Sequence, residues 1–164
     1  MSTREENIHR LGELIRGIPI AMLTTVDDKG HLHSRPMVVA NREFRGDLWF
    51  FTSIASHKAE EVRRESHVSA SFVSREDDRY VSVSGRAELV ADREKAQELW
   101  TGFHEPLFPK GVDDPDLGLL RVRVEKAEYW TSSGRVAGLG GFTEALHRGG
   151  RLEVHEHDTM ELVR

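Results

Sequence analysis

At 164 residues the chain is long enough for one domain with a sizeable core, and its 38% hydrophobic and 31% charged content is ordinary for a globular protein in water. A formal net charge of -5 gives it no bulk affinity for nucleic acid. The absence of cysteine excludes disulfides, thiolate metal sites and cysteine nucleophiles, and it suits a reducing cytoplasm.

The N-terminus, "MSTREENIHRLGELIRGIPIAML", carries charges on both sides of its first apolar residues, unlike a signal peptide. No apolar run approaches the roughly 18 residues of a membrane span. The expectation is a cytoplasmic, single-domain protein with neither nucleic acid nor membrane as a partner. Residues 3 to 17 predict an amphipathic helix, because Ile8, Leu11, Ile15 and Ile18 recur at spacings of three and four. Ser2 or Thr3 would cap it, with Glu5 or Glu6 in the first turn.

Then the period changes. "IPIAMLTTV" is a β-branched strand, "DDKG" a turn with Gly30 at positive φ, and "HLHSRPMVVA" a second strand. Pro36 within it predicts an edge position or a bulge, since proline cannot donate to the ladder. "LWFFT" is a third strand, followed by a short helix from Ser56 through "KAEEVRRE". "HVSASFVS" alternates cleanly, with Val68, Ala70 and Phe72 on one face. "RYVSVSGRAELV" is a long fifth strand with a bulge at Gly85. Asp92 caps a helix over "REKAQELWTGF", a proline-bearing loop follows, and "GLLRVRVEKAEYWTS" is a sixth strand, interrupted near Glu125 and Lys126. Short strands joined mostly by tight turns predict a mainly β fold, an antiparallel barrel with peripheral α-helices.

The stretch "FFTSIASHKAEEVRRE" juxtaposes Ser56, His57 and Lys58. Adjacent residues at a helix start point in different directions, and the chain has no Gly-x-Ser-x-Gly elbow, which argues against a nucleophile and its base. A strand ending at Thr52 before a helix suits an anion better. The first helix amides lack internal partners, the dipole favours negative charge, and Lys58 adds a full charge. The plainer alternative is a serine cap beside a solvated lysine. Arg35 adds a second cation if its strand neighbours the third.

In order and spacing, "MLTTVDDKGHLHSRPMVV", "DLWFFTSIASHKAEEVRRESHVSASF", "YVSVSGRAELVADREKAQELW" and "FPKGVDDPDLGLLRVRVEKAEYW" resemble the pyridoxamine 5'-phosphate oxidase-like flavin-binding split barrels, in their bacterial general stress protein branch. The resemblance spans roughly residues 6 to 142. It implies a six-stranded antiparallel split barrel over residues 1–142, with residues 143–164 a C-terminal extension of unassigned role. It also implies a homodimer with flavin mononucleotide (FMN), or FAD as an alternative, in the cleft between subunits. By that resemblance Arg35 opens the flavin motif, and Pro36, Met37 and Val38 follow the isoalloxazine edge. Phe51 and Thr52 match the aromatic-threonine pair, and Ser56, His57 and Lys58 the phosphate stretch. Tyr80 falls where the oxidase has a flavin-contacting glutamine, and Trp130 matches the tryptophan the partner subunit contributes.

The departures imply loss of the vitamin site. His57 replaces an arginine, Ala40 replaces a substrate lysine, and the oxidase's Arg-Leu-His segment is reduced to "GRVAG". The helix after Asp92 lacks the arginine and serine that grip the vitamin phosphate. The resemblance therefore implies a flavin-dependent oxidoreductase of unassigned substrate, with NAD(P)H or a small molecule as redox partner, and not a pyridoxamine phosphate oxidase. A flavin store or stress sensor is one alternative; a split barrel for deazaflavin or haem is another. No side chain stands out as a catalytic acid or base. His155, His157 and Asp158 in the tail, and His31 with His33, have strand spacing for a metal, but base rates favour solvated polar strands.

Overall fold

The computed structural model describes residues 2–131 and 156–162. Helix α1 (Arg4–Ile15) begins as its sequence demands: Thr3 Oγ1 accepts from Glu6 N at 3.2 Å, and Glu6 Oε2 accepts from Thr3 N at 2.7 Å, a complete capping box. Leu11, Leu14 and Ile15 form its buried stripe. The helix stops at Ile15 and not at residue 17, because Arg16 is extended (ψ 132) and Gly17 takes φ 76. The guanidinium of Arg79 then donates to the carbonyls of Glu13, Leu14 and Arg16 at 3.2, 2.8 and 3.1 Å, satisfying the end of the helix from a distant strand.

Strands β1 (Ile20–Val26), β2 (Leu32–Val38), β3 (Asp47–Ser53), β4 (His67–Ser74), β5 (Arg79–Val90) and β6 (Leu117–Thr131) form one antiparallel sheet in the order β2-β1-β4-β5-β6-β3. Pro36 lies on β2, an edge of that sheet, as its missing N–H requires. The sheet curls until its edges meet where Ala40 N donates to Trp49 O at 2.8 Å, without pairing along β2 and β3. This is a split barrel. Helix α2 (His57–Arg64) follows β3 and α3 (Arg93–Leu99) follows β5. Sequence periodicity carries α3 on to residue 103, but Trp100 is extended (ψ 133) and ends it.

The bulge expected at Gly85 is present, with the extra residue on the other strand. Ser84 pairs with Lys126 and Gly85 with Val124, so Glu125 is left over and β6 continues unbroken. A Cβ on Gly85 would lie 2.0 Å from the carbonyl oxygen of Arg123, so only glycine permits this approach. A seventh strand joins the expected six: β7 (Glu156–Glu161) pairs with β6 and sets Met160 and Leu162 into the core. Asn7 Nδ2 donates to Glu161 O at 2.8 Å and Arg4 Nε to Leu162 O at 2.7 Å, so α1 holds it.

The main core fills the barrel with Leu23, Phe50, Phe72, Val81, Val83 and Leu120, closed by the α1 stripe and Val62 of α2. A second cluster lies on the other face of β3, where Phe51, Leu119 and Leu99 pack with Trp100 and Phe108. His104 belongs to it, its ring 4.6 Å from that of Phe51 and its Nδ1 accepting from Thr101 N at 3.2 Å; burial pushes this imidazole below its ordinary pKa.

Candidate functional site

The turn after β3 delivers the chain to Ser56, the N-cap of α2. Its hydroxyl accepts from Ala59 N at 3.3 Å and donates to Ser53 O at 2.7 Å. The serine therefore caps the helix, as the plainer sequence reading held, and its proton is already engaged. The amides of His57 and Lys58, first in the helix, have no partner within it, so the N-terminus presents donors and a positive dipole end. His57 is exposed and Lys58 half-buried. No carboxylate among the described residues lies within ion-pair distance of Lys58. Burial and, secondarily, the nearby charge of Arg35 hold its ammonium below the ordinary lysine value.

Arg35 approaches from β2. It stands opposite Leu23, whose side chain is fully buried, so it shares the inward face of the sheet and reaches α2 across the barrel mouth. Its fork is split: Nη1 donates to Leu23 O at 3.3 Å and Nη2 to Glu61 Oε2 at 3.4 Å. The same carboxylate oxygen accepts the hydroxyl of buried Thr25 at 2.5 Å. Two cations thus lie near one another at α2, Arg35 tethered by Glu61 and Lys58 without a carboxylate partner among the described residues. A desolvated cation pair of this kind is complementary to a phosphate group.

The other expected residues divide. Thr52 is buried beside the cradle, its Oγ1 3.4 Å from Ser56 Oγ. Phe51 points the other way, into the second cluster. On β2, Met37 is buried in the main core, Val38 is half-buried and Pro36 is exposed. Tyr80 and Trp130 are cross-strand partners on β5 and β6, and Tyr80 also pairs with exposed Val73, which puts both on the outer face. They lie on β5 and β6 and on the outer face, whereas Arg35 lies on β2 and faces inward. Within one chain the residues expected around a single ligand therefore form two groups, a cationic cradle and an aromatic shelf.

The shelf gains a member that sequence reading had weighed only as a metal ligand. His157 of β7 stacks on Trp130 with ring centroids 5.0 Å apart and planes at 4°, and its Nε2 lies 2.7 Å from Glu128 Oε1. Tyr80 donates its hydroxyl to Asp78 Oδ1 at 3.1 Å; burial and that carboxylate push the phenol above its ordinary pKa. Asp78 itself has φ 51, a left-handed conformation costly for a non-glycine residue.

Sequence reading missed Glu61 and Thr25. A threonine at a core position of a strand, and a glutamate three residues after Lys58, were the available signals. Ala40, in place of the substrate lysine, is buried, and the "GRVAG" segment and His155 lie outside the described residues. His31 and His33 both face Asp27, at 3.3 and 3.0 Å; the His31 amide and then the His33 ring hold that carboxyl well below the usual range. Among the described residues no group of three histidine or acidic side chains is arranged to hold a metal. No helix among them is long and apolar enough to cross a membrane.

An antiparallel split barrel with a cationic helix N-terminus at its open edge defines the class. Residues 6–148 match the family model described as pyridoxamine 5'-phosphate oxidase like, and the chain belongs to that family. It is 31% identical over 144 residues to protein bli-3 of Neurospora crassa, covering 82% of this chain and 69% of that protein. It is 32% identical over 111 residues to general stress protein 26 of Bacillus subtilis, covering 65% of this chain and 75% of the relative. Among solved structures, the general stress FMN/FAD binding protein of Xanthomonas citri superposes with a TM-score of 0.67 at 27% identity, over 81% of this chain and 94% of that one. A general stress protein 26 from Jannaschia sp. CCS1 superposes with a TM-score of 0.72 over 93% of this chain and 96% of its own; at 22% identity it bears on the fold alone.

Proposed function

We propose that the protein binds FMN, with the phosphate held at the N-terminus of α2 by Lys58, Arg35 and the first helix amides, and serves as a flavin-dependent oxidoreductase of the general stress type. The observation that carries this reading is Lys58: half-buried, without a carboxylate partner among the described residues, and depressed by burial and by Arg35. A bound phosphate would relieve both effects. The general stress FMN/FAD binding protein of Xanthomonas citri, similar to this chain over most of its length, supports the choice of flavin.

Cradle and shelf lie on different faces of one sheet, and a homodimer brings them to one ligand: the cradle of one subunit meets Tyr80 and Trp130 of another. Ile20, Met22 and Val73 support this, being 42%, 40% and 54% exposed on the outer face of neighbouring strands. In that arrangement the flavin supplies the redox chemistry, and this chain supplies binding, orientation and charge. With Ala40 apolar and buried, no cation stands there for a vitamin phosphate, which argues against pyridoxamine phosphate oxidase activity.

An absorption spectrum of the purified protein, with and without added FMN, tests the reading. Flavin bands that stay with the protein through gel filtration are expected; a protein that takes up no FMN overturns it. Reduction of the bound flavin by NADH or NADPH, followed by reoxidation on turnover with an acceptor, then separates an enzyme from a flavin store. Sedimentation at micromolar concentration is expected to give a dimer, and a monomer would remove the shared-cleft arrangement.

A further inference from the structure

We propose that Asp116, on the loop preceding β6, is the positioning residue of the phosphate cradle: it fixes the β3–α2 turn so that the N-terminus of α2 faces the anion. This rests on the phosphate-cradle reading above. Asp116 does not touch the cradle's cations. It grips the turn that carries them. Ser53 Oγ donates to Asp116 Oδ2, Ala55 N donates to Asp116 Oδ1 at 3.1 Å, and Ile54 N donates to the Asp116 carbonyl at 2.8 Å. Three consecutive residues, the last of β3 and the first two of the turn, are thus held by one residue 61 to 63 positions away in sequence.

The surroundings reinforce the grip. Asp116 N donates to Asp114 Oδ1 at 3.0 Å and Leu117 N to Asp114 O at 3.0 Å, which shapes the loop that presents the carboxylate. Gly118 follows two residues later. A Cβ there would come within 2.9 Å of Ile54 Cγ1, so the turn docks closely on the start of β6. On the other side Arg63 Nη1 donates to Ile54 O at 3.4 Å. The turn ends at Ser56, whose own hydroxyl is committed to Ser53 O. Ser53 is also held by its pairing with Leu117 and by Ser56, whose amide and hydroxyl both donate to its carbonyl, but its own hydroxyl and the Ala55 amide are directed by Asp116; releasing them would let the turn shift, tilt the first amides of α2 and move Lys58.

The contact also has a charge consequence. A carboxylate near an anion site opposes the anion, so Asp116 acts through its hydrogen bonds and not through its charge. Its carboxyl is held below the usual range by the Ser53 hydroxyl and then the Ala55 amide, with a lesser contribution from Lys110. A depressed carboxyl stabilises the fold above the unfolded value, near pH 4, and loses that contribution as pH falls through the folded value. The grip is therefore intact throughout neutral pH.

Affinities for FMN and for riboflavin, which lacks the phosphate, test the proposal by flavin fluorescence quenching in wild type, Asp116→Ala, Asp116→Asn and Ser53→Ala. Wild type is expected to prefer FMN. Asp116→Ala is expected to bind FMN about tenfold more weakly, the scale of one charge-assisted hydrogen bond, with riboflavin affinity unchanged within about twofold. Asp116→Asn can still accept from Ala55 N and donate to Ser53 Oγ, and it is expected to retain the FMN preference. Ser53→Ala removes a single hydroxyl, reads the same contact if Asp116→Ala does not fold, and is expected to lower the preference.

An Asp116→Ala protein with wild-type FMN preference overturns the proposal and leaves the phosphate reading standing. Equal weakening of FMN and riboflavin also overturns it, by marking a general loss of structure. So does an Asp116→Asn protein as impaired as the alanine variant, or a Ser53→Ala protein with unchanged preference. A wild type indifferent to the phosphate overturns both this proposal and the cradle on which it rests.

Discussion

The cradle and the shelf are built on opposite principles. The cradle draws Ser56, His57 and Lys58 from one contiguous stretch and adds Arg35 from a single neighbouring element. Arg35 is tied down by Glu61 and Ser56 by Ser53. The shelf draws Tyr80, Trp130 and His157 from three strands, paired side by side on an outer face. Charge is costly to bury, and a half-buried cation left without a partner, as Lys58 is among the described residues, favours an anion, whereas rings stack wherever a pleated surface aligns them. A ligand spanning both would be anchored by the first and oriented by the second.

That contrast can be broken most strongly at the cations. An Arg35→Ala, Lys58→Ala double variant should lose roughly 3–6 kcal/mol of FMN affinity, from two charge-assisted contacts of about 1.5–3 kcal/mol each. Riboflavin binding should change little. Titration of the double variant with both flavins checks this, and full retention of FMN affinity would refute the cradle.

Gly85→Ala strikes what keeps the shelf strands in register. Its Cβ would meet the Arg123 carbonyl, and denaturant unfolding should show a loss of about 3 kcal/mol. A neutral result would mean that the β5–β6 bulge can be rebuilt. Trp130→Ala should weaken FMN and riboflavin alike, by about 1–1.5 kcal/mol, because a stacking surface does not sense the phosphate. A loss confined to FMN would merge the shelf with the cradle.

The pH dependence separates the two regions further. Burial and Arg35 depress Lys58, so its charge is lost, as pH rises, earlier than that of an ordinary lysine. FMN affinity should therefore begin to fall at a lower pH than an ordinary lysine would set, while riboflavin affinity stays level; parallel curves would contradict the assignment. Last, Arg45→Ala removes an ion pair with Glu43 whose side chains are 83% and 69% exposed. Stability and both affinities should change by less than about 0.5 kcal/mol.

Much of the architecture was legible from local pattern. Alternation in "HVSASFVS" marks the residues of β4 that enter the core, Pro36 announces an edge strand, and Ser56 announces a cap. The candidate cradle was legible for the same reason, since a helix start with a lysine is a local feature. Glu61 and Asp116 were not. Each matters through a partner far along the chain, Arg35 for one and Ser53 for the other, and no short-range spacing records that. His157 was hidden too, because its stack on Trp130 exists only once β7 has paired with β6.

The sequence by itself determined where six of the seven described strands and the three helices begin and end, to within a few residues, because hydrophobic period, caps and turn residues act over distances of three or four positions. It also determined that Gly85 marks an irregularity. Tertiary structure decided which strand holds the extra residue, that Phe51 turns into a second cluster, and that Tyr80 and Trp130 face away from Arg35. Those outcomes depend on register and on the curl of the sheet. Both are set by the summed packing of all seven strands, and no single segment carries them.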